Sequence, residues 1–292
     1  MTGAMAPSSD PLAIDVGLRA DELDAAAALV REAGWNQVAA DWRIFMDLGT
    51  VYAVRSSDGR LVATGATLPF GNRFAWISMV LVTAAFRRQG LATRLLRRCI
   101  DDLLAKNLTP VLDATPAGRS VYQPLGFADV WGFHRWSRGA PVGEPMRADH
   151  AIAPITDAVW PALCRYDAQH FGSDRSALLG RLRGRLPAAD LYAERAGAIA
   201  GFLLGRDGRS AAELGPLIAE DDTTARSLLA VAFGALSGPL YVDLADAKTE
   251  VAAFLTAHGF ARQRPFTRMV YGRSVSFDDP DRTFAVVGPE FG

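Results

Sequence analysis

The sequence predicts an α/β (α+β) protein built from two copies of one unit. Short apolar segments of strand character alternate with amphipathic helical stretches, and the second half repeats the first at a near-constant offset. At a shift of 133 positions Gly126-Phe127 falls on Gly259-Phe260, Phe133 on Phe266, Arg135 on Arg268 and Leu95-Leu96 on Leu228-Leu229, with no gap around these matches. Val111-Leu112-Asp113 aligns with Tyr241-Val242-Asp243 at a shift of 130, which implies a loop three residues longer after the second copy's strand. A chain of 292 residues has room for two such units at about 150 residues each.

The elements of the first copy follow in order. Over 19–33, Leu23, Ala26, Ala27, Val30 and Ala33 share one face of a helix whose other faces carry Asp21, Glu22, Asp24, Arg31 and Glu32. Residues 51–55 and 61–68 read as strands of a hairpin around the turn Ser57-Asp58-Gly59-Arg60. A third strand spans 75–83. Leu91, Leu95, Leu96, Cys99, Ile100, Leu103 and Leu104 recur at helical spacing, opposite Arg94, Arg97, Arg98, Asp101 and Asp102. The pairs Arg97/Asp101 and Arg98/Asp102 sit at i,i+4 and solubilise that outer face. A strand at 110–114, a helix over 117–125 and an aromatic strand at 133–136 complete the unit. The expected limits are 12–138 for the first domain and 149–273 for the second, with a linker at 139–148 carrying Gly139, Pro141 and Gly143. A tail, 274–292, either adds an edge strand through Phe284-Ala285-Val286-Val287 or folds back over the first copy.

Composition excludes several classes of function. With 50% hydrophobic and 22% charged residues the chain is not of disordered type. Lys+Arg 31 against Asp+Glu 32 leaves a net charge of -1, so no basic field exists to hold nucleic acid or an anionic membrane. The longest apolar run, 228–236, is about half of the ~20 residues a membrane span needs, and Met1 to Leu18 has neither the basic nor the apolar region of a signal peptide. Cys99 and Cys164 have no redox or metal spacing, and His134, His150, His170 and His258 have no ligand spacing. A cytoplasmic protein without a metal is expected.

The most informative segment is 80–93, in which the strand Val80-Leu81-Val82 runs through a basic turn into a helix. Such a turn aims backbone N–H groups at one point, and the helix N-terminus adds about half a positive charge, so the segment suits a pyrophosphate. Gly90 and Ala92 keep the backbone approachable, and Arg87 and Arg88 supply charge-assisted hydrogen bonds. Arg87-x-x-Gly90-x-Ala92 after an apolar strand resembles the acyl-CoA signature of the GCN5-related N-acetyltransferases (GNAT), Gln/Arg-x-x-Gly-x-Gly/Ala. Tyr122 followed four residues on by Gly126-Phe127 is similar to the end of that family's fourth helix, and the block Leu112 to Arg119 resembles a bacterial subfamily with two GNAT domains per chain.

The resemblance implies two mixed, twisted sheets flanked by helices, each of about six strands, with acetyl-CoA as cosubstrate wedged between two splayed strands. It implies that the backbone of Val80, Leu81 and Val82 pairs with the pantetheine and directs an N–H at the thioester carbonyl, worth about 3 kcal/mol in the transition state. Arg87, Arg88, Gln89, Gly90, Leu91, Ala92 and Thr93 would hold the pyrophosphate, with Thr115 and Arg119 completing the coenzyme site. Tyr122 would protonate the departing thiolate, a fair match between a phenol near 10 and a thiol near 8.5. Direct attack by the amine requires no acyl-enzyme, so neither cysteine has to be a nucleophile. Two positions depart from the pattern: Ala84 stands for the Pro after the strand, and Thr115 for the Asn that opens the fourth helix.

For a general base the sequence offers Asp113, which also reads as a cap or turn former and recurs as Asp243. Trp35, Asp41 and Trp42 follow the first helix, where the fold builds an acceptor wall, and equally read as packing. Asp167, Phe171, Gly172, Asp174, Arg175 and Arg206 resemble a subfamily pattern that would line the mouth of the acceptor cleft. In the second copy Arg87, Arg88, Gln89 and Gly90 become Glu220, Asp221, Asp222 and Thr223, whose carboxylates repel a pyrophosphate, and Tyr122 becomes Leu255. One functional acyl-CoA site per chain is therefore expected, in a monomer or homodimer, with acetyl or short-acyl transfer to the amine of a small molecule. A non-catalytic acyl-CoA sensor, an interaction scaffold, and acylation of a protein lysine or N-terminus stay open.

Overall fold

The computed structural model describes residues 12–140 and 151–292. The expected linker, from residue 141, and His150 lie outside the described residues. Copy one runs β1 (Ile14–Val16), α1 (Leu23–Glu32), α2 (Ala39–Leu48), β2 (Thr50–Arg55), β3 (Leu61–Phe70), β4 (Phe74–Val82), α3 (Leu91–Leu104), β5 (Thr109–Ala114), α4 (Pro116–Tyr122) and β6 (Phe127–Arg138). Copy two runs β7 (Ile152–Pro154), α5 (Trp160–Phe171), α6 (Ser176–Leu182), β8 (Leu191–Arg195), β9 (Ala198–Arg206), β10 (Ala212–Ala219), α7 (Asp222–Ala235), β11 (Leu240–Ala245), α8 (Thr249–Ala257), β12 (Ala261–Tyr271) and β13 (Thr283–Ala285).

The described strands form one mixed sheet of thirteen, in the order β1-β2-β3-β4-β5-β12-β6-β11-β13-β10-β9-β8-β7. The last long strand of each copy has crossed into the other. β12 pairs with β5, Arg268 opposite Asp113, while β6 pairs with β11, Arg135 opposite Asp243. The two exchanged strands also pair with each other, from Ala261↔Ser137 to Tyr271↔Phe127. The matched residues of the internal repeat thus meet across the copies.

Local chemistry explains the flanking layers. α3 buries Leu91, Leu95, Leu96, Cys99, Ile100 and Leu103 against sheet residues such as Tyr52, Ala63, Ile77 and Leu112, which removes a full apolar stripe from water. On the opposite face one core joins both copies: Phe45, Phe70, Phe74 and Trp76 pack with Phe171, Leu178, Leu179 and Phe291. α2 was not expected from the apolar pattern, and its buried face explains why. That face includes Asp41 beside Trp42 and Phe45, and the Asp41 carboxylate is neutralised by Arg185 at 2.6 Å and Arg206 at 3.0 Å.

The segment after β12 meets the fold-back expectation but not that of an edge strand. β13 joins the sheet, though between β10 and β11 and not at an edge, and residues 289–292 fold over copy one. There Phe291 stacks on Phe45 at 5.0 Å, Trp76 Nε1 donates to the Pro289 carbonyl at 3.3 Å, and Arg175 Nη1 donates to the Gly292 oxygen at 2.8 Å.

Candidate active site

β4 and β5 run parallel and pair only at Phe74↔Thr109, Ala75↔Pro110 and Trp76↔Val111. Past Trp76 they separate. A bulge in β4 accompanies the split: the register with β3 passes from Leu81↔Thr64 to Ser78↔Ala66, so Met79 and Val80 together oppose Gly65. Met79 takes a positive φ of 52°, an uncommon backbone state that surrounding contacts must hold. Thr64 does part of this, its hydroxyl donating to the Met79 carbonyl at 2.9 Å. The result is an open cleft, walled by Ile77, Ser78, Met79 and Val80 of β4 and by Leu112, Asp113, Thr115 and Tyr122.

The turn above the cleft is shaped for an anion. Gly90 begins α3 at φ 77° with no side-chain cap on the helix, so the first-turn amides are left without intrahelical acceptors. A Cβ at Gly90 would meet nothing within 4 Å; glycine is there for its left-handed backbone, and the space beside it is open. Arg88 is also at positive φ, 61°. Arg87 folds inward, its Nε donating to the Val82 carbonyl at 2.9 Å and Nη2 to Glu32 at 3.0 Å, so it braces the turn. Glu32 also accepts from the Thr83 hydroxyl at 2.7 Å and from the Ala84 amide. Gln89 bonds back to the Ala85 carbonyl at 3.3 Å. The splayed strands, the bare helix start and the open space together fit an acyl-CoA.

The fourth-helix residues divide. Tyr122 lines the cleft, and burial raises its phenol above the ordinary value. Its ring lies over Gly118, where a Cβ would stand 2.8 Å from it, so the glycine makes room for the tyrosine. Thr115 caps α4, its Oγ1 accepting from the Gly118 amide at 3.2 Å. Arg119 is paired outside with Asp129, Nε to Oδ2 2.7 Å.

Asp113 is held by both oxygens, each 3.0 Å from Arg268. Arg268 in turn meets Asp278 at 2.6 Å and lies between the rings of Trp76 and Trp131, 4.5 and 4.3 Å from their centroids. Burial raises the Asp113 carboxyl, with Arg268 opposing. Arg135 meets Asp243 in the same manner, at 2.8 and 2.6 Å. Trp35 lines the cleft, whereas Asp41 and Trp42 are fully buried behind it. Asp167 and Arg175 form a buried bidentate pair at 2.8–2.9 Å, and Arg206 binds Asp41, Glu213 at 2.9 Å and Glu290. These residues clamp the folded-over segment and do not line the mouth themselves.

Sequence reasoning missed the far wall: Gln37, Arg264 and Phe266, with Pro289 and Glu290 from the folded-over segment. Only Phe266, through its match to Phe133, carried a signal, and that signal concerned the repeat and not the cleft.

Copy two closes the equivalent site. β10 and β11 pair at Ala212↔Leu240 to Leu214↔Val242 and then separate likewise, but β13 fills the gap, Ala285 opposing both Leu217 and Leu244. The fit is tight at Gly215, where a Cβ would stand 1.9 Å from the Val286 carbonyl oxygen. Eight residues, 83–90, separate β4 from α3, whereas only Glu220 and Asp221 separate β10 from α7. The position-by-position match of 87–90 with 220–223 therefore does not hold: Asp222 and Thr223 lie inside the helix, and the anion-binding turn is missing. Asp221 occupies the helix start instead, Oδ1 accepting from the Thr224 amide at 2.8 Å.

Among the described residues no helix is long and apolar enough to cross a membrane, and no cluster of three His, Cys, Asp or Glu side chains could hold a metal ion.

Comparison with known proteins agrees with this geometry. Residues 21–127 match the acetyltransferase (GNAT) family profile and residues 163–285 the acetyltransferase (GNAT) domain profile. The chain belongs to the GNAT acetyltransferases, with two such domains in tandem, and is an acyltransferase by class. It is 22% identical over 246 residues to an uncharacterised N-acetyltransferase, YitH, of Bacillus subtilis, covering 84% of this chain and 86% of that one. Its fold is similar to that of a candidate acetyltransferase from Pyrococcus horikoshii (TM-score 0.79, 18% identity, covering 100% of this chain and 99% of that one). It is also similar to a GCN5-related N-acetyltransferase from Sphaerobacter thermophilus (TM-score 0.62, 16% identity, covering 93% and 98%).

Proposed function

We propose that the chain transfers an acetyl or short acyl group from acetyl-CoA to the amine of a small molecule, at one site per chain. The observation that carries this reading is the contrast between the copies: the strand wedge is open beside an uncapped helix in copy one, and filled by the chain's own β13 beside a capped helix in copy two. When bound, the thioester supplies an activated acyl carbon to the wedge. Residues 88–93 offer their amides to the pyrophosphate, the released backbone around Val80, Leu81 and Val82 holds the pantetheine, and Tyr122 donates a proton to the departing sulfur. A cleft walled by β12 and residues 289–290 suits a small acceptor better than a protein segment.

Calorimetric titration with acetyl-CoA tests the reading. We expect one site per chain, lost in Arg87→Glu/Gly90→Glu and kept in Asp221→Ala. Tyr122→Phe should retain binding and lower kcat by about 10² or more. Two sites would mean that copy two is active, no binding would refute the assignment, and unchanged turnover in Tyr122→Phe would remove that residue from catalysis.

A further inference from the structure

Buried polar atoms almost always find partners, and those that do not call for an explanation. Among the described residues, four such atoms lie on side chains lining one cleft: Gln37 Oε1, Ser78 Oγ, Arg264 Nε and Glu290 Oε2. The other charges of that wall are matched, Asp113 by Arg268 and Arg135 by Asp243 and Glu213. Glu290 is 3% exposed and gives only its Oε1 to Arg206. Arg264 has no carboxylate within ion-pair distance among the described residues, and its guanidinium rests 5.3 Å from the centroid of Phe266. One unshared carboxylate oxygen and one unpaired guanidinium therefore border the same cleft.

A simple amine would match Glu290 and leave Arg264 desolvated and unpaired. A simple acid would do the reverse. Both are matched at once by a molecule bearing an ammonium and an anionic group. Resting on the transferase reading above, we propose that the acceptor is a small amine that also carries an acid group, its nitrogen at Glu290 and its acid at Arg264. The N–C bond forms at the acyl carbon as the C–S bond breaks. Of the two protons the ammonium loses, one passes through Glu290 to water, and the other balances the proton Tyr122 gives to the sulfur. Burial raises the Glu290 carboxyl against the pull of Arg206, the charges of Glu213 and Asp41 push it the same way, and the side chain of Gln37 opposes them.

The test is direct binding followed by turnover. The common L-amino acids, their methyl esters, the corresponding decarboxylated amines and 2-aminoethylphosphonate are titrated into the intact chain without acetyl-CoA, then assayed for thiol release with it. At least one acid-bearing amine should bind, about 100-fold more tightly than its ester or decarboxylated form, and the phosphonate separates carboxylate from phosphonate recognition. Arg264→Met should abolish that discrimination while leaving acetyl-CoA affinity unchanged, and Glu290→Gln should lower kcat for every amine with acetyl-CoA still bound. Equal affinity for ester and acid, binding of none of the probes, or discrimination surviving in Arg264→Met would each overturn the proposal. If acetyl-CoA fails to bind while the acid-bearing amines bind as expected, the transferase reading falls and the recognition site stands.

Discussion

At Asp113 and Arg268 two charges are removed from water together, and the bidentate geometry at 3.0 Å is what makes that tolerable. Removing one partner strands the other. Arg268→Ala should destabilise the chain by about 3–5 kcal/mol, while Asp113→Leu/Arg268→Met, which removes both charges, should cost far less; urea unfolding of the two variants checks this. A smaller loss in the single variant than in the double would show that the pair is not acting as a buried ion pair. The same geometry bears on Asp113 as a proton acceptor: both oxygens are committed, whereas Glu290 has one uncommitted. The sequence displayed Asp113, Asp243, Arg135 and Arg268 as repeated residues but could not display which arginine meets which aspartate, because each pair spans the exchange. Tyr122 and the 87–92 signature were legible because they are local patterns. Glu290 was not, because its place in the cleft depends on a segment more than 150 residues away in sequence folding back.

Elements were legible where one physical rule governs them. α3 is a clean apolar stripe, so its limits at Leu91 and Leu104 follow the pattern. α2 breaks the rule by burying an aspartate, and its polar residue at a core position erases the periodicity. The start of α7 shows how a constant shift misleads: an ungapped overlay aligned the helices correctly and hid the missing turn. There Asp221 does the work that an anion would do in copy one, so Asp221→Ala should cost about 1 kcal/mol. Burial pushes the Asp221 carboxyl up, but the amide and hydroxyl of Thr224 and the Arg195 guanidinium outweigh it and bring it down to about 2. A carboxyl lowered in the folded state stabilises above its ordinary value of 3.8 and loses that contribution as the pH falls toward 2. The gap between wild type and Asp221→Ala should therefore be full at pH 6, shrink as the pH falls below 3.8, and close only below about pH 2. A gap independent of pH would assign the loss to the hydrogen-bonding shape of the cap and not to the charge of the carboxylate.

Across the whole molecule, the exchange of β6 and β12 makes each copy depend on the other. β6 has β11 and β12 as its neighbours, both from copy two, and β12 joins β5 to β6. The core around Phe45, Trp76, Phe171 and Phe291 is continuous between the copies, and residues 289–292 tie copy two's end onto copy one's site. Two units that merely touched would melt separately. Units sharing their central strands cannot, because opening either one exposes a row of ladder hydrogen bonds and a shared apolar core in the other. The intact chain should therefore unfold in one transition, with tryptophan fluorescence and far-ultraviolet circular dichroism giving the same midpoint. Arg135→Ala and Arg268→Ala, which lie in opposite exchanged strands, should each lower that single midpoint without splitting it. Residues 12–138 expressed alone should fail to form a stable monomer, since β6 would have no partner and β5 would present an open edge. Two resolved transitions in the intact chain, or a stable monomeric fragment, would show that each copy holds its own fold and that the exchanged strands only join them.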